Sequence, residues 1–179
     1  MVAPESSPAA SRDAAPPAPS TLVAVLSWAI AAWTIHVLVG TSTYRLTLHP
    51  RAEHVFGTVG AWLGELLGSG VGKAFGGYAA YVFGSVELAA VIALAVPAFA
   101  WLVHRVGGGE PTWPRAWWHR LGGAVAALVT AGAACLHLLT PLGIAIVREG
   151  TSDGGDLFYA TASVLVASVV LVLINRRGV

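Results

Sequence analysis

Three ionisable side chains stand inside or at the edge of long apolar stretches: Glu87, His137 and His36. Hydrocarbon penalises such groups unless they are paired or wetted, so each is a candidate for function. Glu87 lies about ten residues from Gly77 and His137 about ten from Val147, so at about 1.5 Å of rise per residue both sit roughly 15 Å deep. Equal depth on neighbouring helices predicts a Glu87–His137 pair. His36 lies about five residues, roughly 7 Å, from the same end of its own segment. The connecting segments at that end add Arg45, Arg51, Asp153 and Asp156. The polar groups therefore collect in one half, which predicts a ligand-binding or proton-linked pocket open to that side. A second role stays open for Glu87 and His137, a buried hydrogen bond that fixes helix register and binds nothing. Haem between His36 and His137 is disfavoured, because depths differing by roughly 7 Å suit a flat macrocycle with two axial ligands badly. No metal site is expected. Cys135 is the single cysteine, so neither a disulfide nor a multi-cysteine centre forms within one chain. The run Asp153-Gly154-Gly155-Asp156 lacks the ligand count of a calcium loop and predicts a turn capping the last helix.

The elements that position these groups follow from composition. The 179 residues are 56% hydrophobic and 11% charged, whereas soluble domains carry roughly a quarter charged residues. Four blocks, about 21–40, 77–103, 121–147 and 157–175, reach the roughly 20 residues that a helix needs to cross a hydrocarbon core. An all-α, polytopic membrane protein with a four-helix transmembrane bundle over 21–177 is expected. Residues 1–20, rich in Ala, Pro and Ser, bury too little to order and predict a disordered cytoplasmic tail. A signal peptide is the rival for 1–40, but the apolar run exceeds the roughly 7–15 residues of such a core.

In the third block Gly122, Gly123, Ala126, Ala127, Ala131 and Cys135 recur at four-residue spacing, which allows close helix approach and predicts a central position. The fourth block is apolar all round apart from Thr161, Ser163 and Ser168, and is expected to face lipid widely. Arg12, Arg105, Arg115, Arg120, Arg176 and Arg177 fall on one side, against Arg45, Arg51, Lys73 and Arg148 on the other, which predicts both termini in the cytoplasm. Trp101, Trp113, Trp117 and Trp118 bracket the basic 104–120 loop as headgroup anchors. Between the first two spans, Pro50 suits a first helical turn, and Val55, Phe56, Val59, Trp62, Leu63, Leu66, Leu67 and Val71 repeat at three- and four-residue spacing. An amphipathic helix over 50–72 in the outer interface is predicted. A fifth span over 55–72 is the rival, opposed by Glu65 and the glycines within it.

Four segments together resemble the DoxX-like family of small bacterial membrane proteins. They are GTSTYRLTLHPRAEHVFG after the first span, GSVELAAVIAL in the second, AGAACLHLLTPLGI in the third, and DGGDLFYATASVLVASVVLVLINRR. The family often has a Gly followed by a Lys at the end of the first helix, where Thr43, Tyr44 and Arg45 stand here. The resemblance implies a four-helix fold in the bacterial inner membrane and a redox context, since some members are linked to quinone-dependent sulfur oxidation or redox-protective complexes. A membrane component of such a system, contacting a quinone, lipid or redox partner protein, is the leading expectation. A non-catalytic assembly or scaffold subunit is the alternative, and a small transporter a third, although the chain shows no internal repeats. No catalytic residue carries over, and whether the chain is an enzyme, or a homo-oligomer, stays open. The net charge of +1 gives no reason to expect nucleic acid.

Overall fold

The computed structural model describes residues 21–108, 114–140 and 152–176, which form helices throughout. They are α1 (Thr21–Leu46), α2 (Pro50–Leu67), α3 (Ser69–Gly107), α4 (Arg115–Leu139) and α5 (Ser152–Ile174). Among them α1, α3 and α4 are long and apolar enough to cross a membrane, and α5 carries a shorter apolar stretch, Phe158–Ile174. The expected tail over 1–20 and the far end of the third block, 141–147, lie outside the described residues.

Four helices pack in antiparallel succession around one core. α1 lies against α3 and α5, α4 lies against α3 and α5, and the diagonal pair α1 and α4 touch little. Leu38, Ala90, Val91, Ala126 and Val164 bring all four helices together at mid-height, and Ala31, Leu94 and Leu171 continue the core toward the start of α1. The seam of α1 is Ser27, Ala31, Thr34, Leu38 and Ser42, spaced by three or four so that one face turns inward. On α5 and the turn after it, Thr161, Val164, Ser168, Leu171 and Asn175 do the same, while Tyr159, Val166 and Leu173 point outward. Gly122 of α4 is fully seated against Leu94 of α3, and Gly123 against the backbone of Ser168. The four-residue row from Gly123 drifts outward along α4, leaving Cys135 exposed, so α4 is wedged between two neighbours rather than ringed by three.

Helix boundaries depart from the expected ones for identifiable reasons. α1 runs six residues beyond Gly40, since nothing in Thr41–Leu46 breaks a helix. α4 ends at Leu139, short of the described limit, and the rest of the expected block lies outside the described residues. Thr140 is extended, at φ −109° and ψ 166°, as a residue before Pro141 is constrained to be. The Asp153–Asp156 run is the first turn of α5 and not a separate capping turn.

The predicted helix after the first span exists, begins at Pro50 as expected, and ends at Leu67. Gly68, at φ +104°, reverses the chain, and Val71 belongs to the next helix. α2 then folds back against the first half of α3 along glycines. A Cβ on Gly60 would stand 2.7 Å from the Gly72 carbonyl oxygen, and one on Gly72 would strike the backbone of Gly60 and Gly64. The glycines thus act as a contact surface that lets the two backbones approach. Phe56, Ala79 and Ala80 bury beside them, but Leu66 and Leu67 remain exposed, so the predicted apolar stripe serves two surroundings.

Candidate functional site

At the α1 C-terminal end of the bundle, the sparse contact between α1 and α4 leaves a chamber of about 560 Å³. One wall is α1, through Trp33, His36, Val37, Gly40, Thr41, Tyr44 and Arg45. α2 closes a side with Ala52, Val55, Phe56 and Val59. Phe83, Ala133, Leu136, His137 and Thr161 complete the lining from α3, α4 and α5. The surface is mostly apolar with a few convergent polar groups, and its size suits a small ligand.

His36 and His137 both line this chamber, as the common end of their segments predicts. His36 is exposed, its ring 6.2 Å from that of Trp33. His137 is half-buried, with the Phe158 ring edge-on at 6.3 Å, and its Nδ1 is buried without a hydrogen-bond partner. Glu87 does not line the chamber. It lies behind the wall, 2% exposed.

The predicted Glu87–His137 pair is not formed. Glu87 Oε1 accepts instead from Nη1 of Arg45, a residue expected in the outer connection. The reason is the extra length of α1. Its last turn carries Arg45 over α3, and Gly84 permits the approach, since a Cβ there would lie 2.9 Å from Leu46 Cγ and 3.2 Å from Arg45 Cβ. A guanidinium, charged under all ordinary conditions and with a long reach, then outcompetes an imidazole for the carboxylate. The Arg45 head is held between two rings, with Cζ 5.7 Å from the Phe83 centroid and 5.9 Å from that of Phe56. Thr41 stands beside the carboxylate, but its hydroxyl donates to the Leu38 carbonyl at 3.3 Å, and Glu87 Oε2 is left buried without a partner.

Comparison of the chain with family models, curated proteins and solved structures returned no match. What the chamber holds must therefore be argued from its own chemistry. Among the described residues no three His, Cys, Asp or Glu side chains stand together as metal ligands. The Arg51 side chain and those of Asp153 and Asp156, expected near this end, lie outside what is described.

A second polar cluster, at the opposite end, was not anticipated from sequence. Ser27 Oγ lies 2.7 Å from His119 Nδ1, and Asn175 Nδ2 donates to Ser27 Oγ at 3.0 Å and to the Leu171 carbonyl at 2.8 Å. All three residues are buried, and Trp28 packs edge-on against the imidazole at 4.9 Å. Ser27 Oγ also lies 3.4 Å from Asn175 Oδ1, so the serine hydroxyl is shared between the amide and the imidazole, while His119 Nε2 is buried without a partner. The cluster ties α1, α4 and α5 together and adjoins no part of the chamber lining. The signal that could have revealed it is the seven-residue spacing of Ser27 and Thr34 on α1, matched by Ser168 on α5 and Asn175 just after it.

Proposed function

We propose that this chain is a four-span integral membrane protein of the bacterial inner membrane that receives a lipophilic ligand, of the quinone or lipid class, in the chamber between α1, α2 and α4. The observation that carries the proposal is the composition of that chamber: apolar walls of membrane-soluble character, with His36, His137, Tyr44 and Arg45 converging on one space. The DoxX-like resemblance supports the same direction, a membrane component of a quinone-linked or redox-protective system.

The length of α3 supports a placement in the bilayer. α3 has 39 residues and is about 58 Å long, against about 30 Å of hydrocarbon. The excess is the half paired with α2, so the hairpin lies at and beyond the outer interface and roofs the chamber. The polar chamber then opens toward the outer leaflet, and both termini face the cytoplasm in line with the Lys and Arg distribution.

Purification in mild detergent, followed by mass analysis of co-purifying small molecules and proteins, tests the proposal. A quinone or lipid retained in stoichiometric amount, and lost in a His137→Trp variant that fills the chamber, is the expected result. Retention of a protein subunit alone, with no small molecule, would favour the scaffold reading. Reporter fusions after Val179 and within the 104–120 loop should both report cytoplasm.

A further inference from the structure

The charge balance behind the chamber wall narrows the class of ligand. Among the described lining residues Arg45 is the one permanently charged group, and by itself it would mark a site for a carboxylate or phosphate. It is not by itself. Glu87 is 2% exposed and ion-paired with it from behind, and the second carboxylate oxygen is buried with no hydrogen bond of its own, the neighbouring Thr41 hydroxyl donating to the Leu38 carbonyl instead. The pair presents no net charge to the chamber. An entering anion would leave water and meet a cation already neutralised, with an unsatisfied carboxylate oxygen close behind it. Hydrogen-bonding capacity, in contrast, remains. A guanidinium has about five N–H donors and only one is engaged by Glu87. His137 adds a ring nitrogen without a partner.

Resting on the chamber being a lipophile site, we infer that Glu87 sets its selectivity: it cancels Arg45, so that the site takes an uncharged lipophile bearing a carbonyl head and rejects anionic amphiphiles. Glu87 is thus a positioning residue that acts through Arg45 without touching the ligand. Quinones and neutral acylglycerols share the required chemistry, an uncharged acceptor on an apolar body.

The test is calorimetric titration of the full chain in nanodiscs, with empty discs subtracted, using three probes of equal chain length: a decyl-substituted benzoquinone, monodecanoylglycerol and decanoate. Wild type should bind at least one uncharged probe about tenfold or more tighter than decanoate. Which uncharged probe binds distinguishes a quinone from an ester lipid. In Glu87→Gln the amide still accepts from Arg45, but the guanidinium is uncompensated, and the preference should swing toward decanoate by about tenfold. The double variant Arg45→Gln/Glu87→Gln should restore preference for the uncharged probe, a recovery that a merely structural role for Glu87 would not produce. Decanoate binding to wild type as tightly as the uncharged probes overturns the inference while leaving the chamber a lipophile site. No binding of any probe overturns the chamber reading itself. A wild-type ratio near one overturns the inference even where a variant fails to fold, and the double variant carries the positive result.

Discussion

Replacing Arg45 by Met isolates what the ion pair contributes. The substitution keeps an unbranched apolar stem of similar reach between Phe56 and Phe83 and removes only the charged head. Glu87, 2% exposed, is then a buried carboxylate with no cation, whereas Arg45 at 14% exposure is the better hydrated partner. Removing one member of a buried pair costs about 3–5 kcal/mol, because the remaining charge is stranded. Proton uptake limits that loss: holding an ordinary glutamate protonated at pH 7 costs about 3.7 kcal/mol. A loss near 3.5 kcal/mol corresponds to a fall in melting temperature of roughly 7–14 °C for a chain of this length. Replacing both residues by Met removes the stranded charge and should recover at least about 2 kcal/mol relative to the sum of the single losses. Thermal unfolding in one detergent, followed by intrinsic fluorescence for wild type, both single variants and the double variant, gives the coupling. Losses that add to within about 0.5 kcal/mol would mean that the two side chains do not interact and would refute the pairing.

Three other outcomes follow from the same geometry. Gly72→Leu drives a side chain into the backbone of Gly60 and Gly64 and should destabilise by about 1–3 kcal/mol, whereas Gly77→Leu, which meets nothing within 4 Å, should change stability by less than about 0.5 kcal/mol; equal losses would contradict the glycine contact. Asn175→Leu removes the donor that holds Ser27 and should lose about 1–3 kcal/mol, and adding Ser27→Ala should then lose little more. Strict additivity of those two would dissolve the cluster. Single cysteines at positions 53 and 65, in a Cys135→Ser background, should both react in intact membranes with an impermeant thiol reagent from outside, since Glu53 and Glu65 are both exposed on the hairpin; protection at 65 alone would place α2 within the hydrocarbon.

What the sequence disclosed and what it hid divide along a physical line. Long apolar blocks located the helices, and a carboxylate within one of them singled out Glu87, because a membrane solvent makes both features costly to produce by accident. Its partner stayed hidden for two reasons. Hydropathy falls after Gly40, which suggests a helix end, although helix termination depends on breakers and none follows until His49-Pro50. Equal depth alone does not choose a partner, because a nearby guanidinium binds a carboxylate more tightly than a neutral imidazole does. The Ser27 cluster was harder still, because serine is unremarkable in an apolar helix and its partners lie 92 and 148 residues away in the chain. Glycines 60, 64, 68, 72 and 76 repeat every four residues. Residue type alone makes them poor helix formers that argue against insertion; paired symmetrically about Gly68, 60 with 76 and 64 with 72, they describe a hairpin with a close glycine face.

The two polar clusters explain why the chamber forms at one end only. In an antiparallel four-helix ring the diagonal helices are the natural site of a void, and here the diagonal is α1 and α4. At the Ser27 end the void is bridged, since Ser27 of α1 reaches His119 of α4 directly, with Asn175 closing the third side. At the other end the strongest polar attraction points elsewhere. Arg45 draws α1 toward α3, through the gap that Gly84 leaves, and so away from α4. His137 is left facing space with an unpartnered nitrogen, and α2 supplies Phe56 and Val59 as part of the wall that the diagonal lacks. The ion pair therefore shapes the chamber as well as setting its charge. Shortening the Gly84 gap with Gly84→Leu should push α1 toward α4, separate Arg45 from Glu87 and shrink the chamber. A spin-label distance between positions 40 and 136 that stays unchanged in that variant would refute the causal link.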